Sequence, residues 1–88
     1  MTSKSRVKKK PNMVFVYFEE AGRDRPAHFL VVEGKDGVPS DEGDMFEIDA
    51  FEGEIGLASA VAFIRAHRLA GKNGTVIDKT KNAIPAMV

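Results

Sequence analysis

From Met13 to Phe18 the chain carries six consecutive uncharged residues, and five of them are β-branched or aromatic. That composition predicts a strand. Apolar residues do not alternate with polar ones there, so both faces of the strand should be covered, as in the middle of a sheet. A polar turn over 21–26 leads to a second strand over 27–33. Its period of two places Phe29 and Val31 on one face and His28, Leu30 and Val32 on the other. The segment 34–43 holds two of its three Gly in Gly34-Lys35-Asp36-Gly37, one Pro and three acids after Gly37 or flanking it, and reads as a loop. A third strand, 45–51, alternates cleanly, with Phe46, Ile48 and Ala50 inward and Glu47 and Asp49 outward.

Near Glu54 the period changes to that of a helix, expected over 55–70. Glu52 and Glu54 stand at its positive end and Arg65, Arg68 and Lys72 towards its negative end. Gly71 is a natural residue to follow the last turn, and Asn73-Gly74 a natural tight turn. A short fourth strand follows over 75–78. The order β-β-β-α-β predicts an α+β two-layer sandwich, a three- to four-stranded antiparallel sheet with one helix packed on it. The domain spans 13–78, preceded by a mobile basic arm, 1–12, and followed by a tail, 79–88.

The helix carries two apolar faces. Ala58, Ala62, Ala66 and Ala70 form a strip of minimal side chains, flanked by Phe63 and Leu69. This side should face the sheet. Leu57, Val61 and Ile64 lie half a turn away and need a second cover, either the C-terminal tail or arm, or a second copy in a homodimer.

Composition sharpens this picture by exclusion. The 88 residues include no cysteine, which removes disulfides, thiolate metal sites and cysteine nucleophiles. The apolar run at the start is too short for a secretory or membrane segment, so a soluble, cytoplasmic protein is expected. The net charge of zero conceals segregation. Residues 1–12 hold Lys4, Arg6, Lys8, Lys9 and Lys10 and no acid. Residues 13–64 hold twelve acids against three bases, and 65–88 five bases against one acid. Between Glu33 and Glu54 nine acids face a single Lys.

Catalytic patterns are missing. His28 and His67 are 39 positions apart, with no partner at metal-ligand spacing and no HExxH. Ser40 and Ser59 have no nucleophile-elbow context. The run 71–75, Gly-Lys-Asn-Gly-Thr, fails as a phosphate loop because Ala66 replaces the required first Gly and Asn73 the Ser or Thr. Asp36, Asp41, Glu42 and Asp44 break the alternate register of a calcium loop at Val38 and Ser40. No catalytic residue, cofactor or metal site is therefore expected.

Two functional readings remain. The first is a non-enzymatic interaction protein that docks an acidic surface, Asp41, Glu42, Asp44, Glu47, Asp49 and Glu52, on a basic partner protein, such as one with a nucleic-acid-binding groove. Its size and segregated charge suggest an inhibitor or antitoxin-like module, of the kind phage and mobile elements encode. The second is a nucleic-acid-binding module using the arm (Lys4, Arg6, Lys8, Lys9, Lys10) with Arg65, Arg68 and Lys72. The acidic third strand disfavours the sheet itself as a nucleic-acid reader.

Overall fold

In a computed structural model of the chain, residues 13–35, 37–40, 45–51 and 54–82 are described. Strand β1 (Met13–Glu19) lies inside a sheet, flanked by β2 (Ala27–Lys35) and β5 (Thr75–Lys79). It pairs antiparallel with β2, with Val16 opposite Val31, and parallel with β5, with Phe15 opposite Ile77. On the far side of β2 lies β4 (Met45–Ala50), antiparallel, with Phe29 opposite Ile48. A two-residue strand, β3 (Val38–Pro39), pairs with Gly34 and Lys35 at the end of β2. Helix α1 (Ile55–Ala70), the one helix among the described residues, carries the chain from β4 at one edge to β5 at the other.

The fold is α+β, one helix on one sheet, as the hydrophobic pattern implies. Two details depart from expectation. The sheet has five strands rather than three or four, and it is mixed rather than antiparallel. The mixed character follows from the connection: the helical crossover carries the chain back to the end of the sheet at which β4 began, so β5 enters in the same direction as β4 and β1. The additional strand, β3, falls within the segment expected to be a loop.

Alternation along β1 and β2 splits the interior into two clusters. Val14, Val16, Phe29 and Val31 face the helix with Ala50, and are packed by Phe18, Phe46 and Ile48. Phe15, Tyr17, Leu30 and Val32 form a second cluster on the opposite face, each at most 5% exposed. The continuous apolar run of β1 is thus covered on both faces, in accord with its sequence.

Helix α1 meets the sheet through its alanines. Ala58, Ala62, Ala66 and Ala70 are buried, and Phe63 and Leu69 pack beside them. The small side chains let the helix backbone lie close, and the bulk is supplied from below by Phe18 and Phe29, whose rings are 4.9 Å apart. Large on one layer against small on the other fills the space at interior density. His67 and Arg68 occupy the last turn, where positive charge suits the helix dipole. The helix stops at Gly71, whose φ of 82° disfavours a side chain; its N–H still donates to His67 O at 3.0 Å. A second glycine is fixed by proximity. A Cβ at Gly34 would sit 2.5 Å from the ring of Phe15, so the end of β2 can pass over β1 only without a side chain there.

Candidate functional site

Of the residues singled out for chemistry, Glu47 and Asp49 are placed most distinctively. Both lie on β4, which pairs with β2 on one side and with no other described strand along its other side. The alternation of β4 sends Phe46, Ile48 and Ala50 towards the helix and leaves Glu47 and Asp49 exposed on the opposite face. An edge strand bearing charge resists pairing with other chains. Here the charge has a further arrangement. Arg25, from the β1–β2 loop, sets its Nη2 3.2 Å from Glu47 Oε1 and 3.9 Å from Asp49 Oδ1. The two carboxylates, one pleat apart, therefore hold one guanidinium between them. All three side chains remain close to half exposed, so the cluster is screened by water and contributes little to stability.

Asp41, Glu42, Asp44 and Glu52, the rest of the expected acidic surface, lie outside the described residues. So do Lys4, Arg6, Lys8, Lys9 and Lys10. Of the remaining cations, Arg65 leans across to β4 and stacks its guanidinium 4.6 Å above the Phe46 ring. Arg68 is exposed on the helix and Lys72 in the turn that follows. The expected basic group is thus partly dispersed, because Arg65 is held on the helix-facing side of the acidic strand.

Sequence reasoning did not single out Arg25. Its role arises only when the β2–β4 register brings Glu47 and Asp49 alongside the start of β2. His28, read as an ordinary strand residue, is 2% exposed. Its Nε2 lies 3.1 Å from Glu19 Oε1 and its Nδ1 3.4 Å from the carbonyl of Pro26. A neutral ring can donate to only one of these acceptors at a time. The imidazole is thus buried beside two acceptors at the β1–β2 turn.

A cleft of about 400 Å³ opens beside the N-terminal turn of α1. Phe18, Phe29 and Phe63 form its apolar wall, and Ser59, Asp78 and Thr80 its polar rim. Asp78 already accepts from the backbone N–H of Thr80 at 2.9 Å and from the Thr80 hydroxyl at 2.7 Å. These bonds hold its carboxyl below the usual range, chiefly through the backbone N–H. An ionised and satisfied carboxylate is a poor general acid, and no imidazole lines the cleft to activate Ser59. Among the described residues, no group of three His, Cys, Asp or Glu side chains is placed to hold a metal ion. No helix among them is long and apolar enough to cross a membrane.

Comparison of the chain with family models, curated proteins and solved structures gives no match.

Proposed function

We propose that the domain is a non-enzymatic binding module whose acidic edge strand, β4, docks on a basic surface of a partner protein. The observation that carries this reading is the carboxylate pair of Glu47 and Asp49, spaced to grip a guanidinium and already gripping that of Arg25. A partner's arginine can replace Arg25 at little cost, because the internal contact is exposed and weak. Charge-assisted contacts of carboxylates with arginine are among the more directional available to a surface. The tied-down state of Asp78 and His28 supports a binding role over a catalytic one.

A titration of the isotope-labelled protein with a short arginine-rich peptide, at about 0.15 M salt where distant charges are screened, tests the reading. Amide shifts should concentrate on Arg25, Glu47 and Asp49. Freeing the pair with Arg25→Gln should tighten binding about 3- to 10-fold, a gain of about 1 kcal/mol. Glu47→Lys with Asp49→Lys should abolish it. Binding of the peptide that ignores these changes overturns the proposal. So does association with a DNA duplex that survives them and depends on Arg68 and Lys72, which would favour the nucleic-acid reading.

A further inference from the structure

The side of α1 turned away from the sheet is apolar and open. Leu57, Val61 and Ile64 are 63%, 37% and 56% exposed. Their spacing is not scattered. Glu54, Leu57, Val61, Ile64 and Arg68 follow one another at intervals of three, four, three and four, the repeat of a straight seam between two packed helices. The seam is acidic at its first position, apolar at the next three and basic at its last. Neither Glu54 nor Arg68 has an ion-pair partner among the described residues.

We propose that this seam is the contact surface for a second copy of the chain, with the two helices antiparallel and the two-fold axis beside Val61. Glu54 and Arg68 each stand seven positions from Val61, about 10 Å along the helix at 1.5 Å per residue. A two-fold axis at Val61 therefore sets Glu54 of one copy against Arg68 of the other, twice. It also sets Leu57 against Ile64, twice, and Val61 against itself. A closed two-fold contact requires a surface that complements itself in this way. A parallel pairing would instead stack Glu54 on Glu54 and Arg68 on Arg68. The charge order thus selects the second copy as occupant and fixes its direction. This inference is independent of the acidic edge, because the seam lies on the outer side of the helix layer and Glu47 and Asp49 on the far face of the sheet.

One helix face is small beside the roughly 800 Å² per partner of a standard interface. Association in the range of about 10–100 µM is expected. Sedimentation equilibrium of the full chain, from about 5 µM to 1 mM so as to bracket that range, should show a monomer–dimer equilibrium. Val61→Asp, which opposes two carboxylates on the axis, should weaken it at least about 30-fold, the effect of losing a central anchor. Glu54→Arg and Arg68→Glu should each weaken it several-fold, and the two together should restore it. Because the chain has no cysteine, Val61→Cys offers an independent readout: oxidation should yield a covalent dimer through that single thiol. A monomer throughout the range overturns the proposal. So does a dimer indifferent to Val61→Asp, or a charge swap that fails to restore association, since each places the contact or its direction elsewhere.

Discussion

The two sides of α1 are built from the same kind of residue and meet opposite fates. Towards the sheet the helix offers four alanines, each at most 5% exposed, and lets the strands supply the bulk. Away from it the helix offers Leu57, Val61 and Ile64, larger and more hydrophobic, and leaves them in water. Hydrophobicity alone would have placed them the other way round. What decides is room: the layer beneath α1 is already filled by Phe18, Phe29, Phe46 and Val31, and a close-packed interior admits shape before it admits apolar area. The inner side is specified by volume, the outer side by what remains to be buried.

The largest expected effect lies on the inner side. Ala62 is fully buried, so Ala62→Leu should overpack the layer and cost about 1–3 kcal/mol. That corresponds to a fall in thermal midpoint of at least about 4 °C for a domain of this size. Val61→Leu, one position away, should change monomer stability by less than about 0.5 kcal/mol. Equal effects at the two positions would erase the distinction between the sides. Arg65 stands between them in kind, charged yet lying on the Phe46 ring. Arg65→Ala should cost about 0.5–1 kcal/mol in chemical denaturation, more than Arg68→Ala, which leaves no described contact behind.

The same contrast between covered and open extends to titration. Burial of Tyr17 pushes its phenol above the ordinary value. Its neutral form is therefore favoured in the folded state. The contribution is full below the unfolded value near pH 10 and is lost as pH rises through the folded one. Tyr17→Phe should flatten that alkaline loss in a denaturation series. Asp78 is the open counterpart, and its shift has the opposite sign. Bonds from Thr80 lower its carboxyl, so its stabilisation is present above about pH 4 and fades as pH falls through the folded value. The group is exposed and screened. Thr80→Ala should therefore alter the acid limb only slightly, the smallest effect of the set.

Most of this architecture was legible in local pattern. The helix limits Ile55 and Ala70, the side carrying the alanine strip and the alternation of β4 all follow from spacing. What was not legible depends on partners distant in sequence. Two residues, one of them Pro39, carry too little pattern to announce β3. The parallel entry of β5 is a property of the crossover, and nothing in the residues 75–79 encodes direction. His28 alternates with Leu30 and Val32 in sequence, but the acceptors beside its buried ring, the Glu19 carboxylate and the Pro26 carbonyl, come from the β1–β2 turn and could not be read from the strand itself. The carboxylate pair was visible as charge; its grip on Arg25 required the register.

The parallel pairing of β1 with β5 also sets the order in which the molecule can be made. Met13 must wait for Thr75, 62 positions later, before its side of the sheet is closed. During synthesis the hairpin of β1 and β2 can form early, but the other flank of β1 stays an unpaired and strongly apolar strand edge until nearly the whole domain has emerged. Non-local pairings of this kind slow folding and expose edges prone to aggregation. A nascent chain halted before Thr75 should accordingly behave as a sticky intermediate rather than a smaller domain. Among the described strands, β5 is the one that closes the flank of β1 left open by β2.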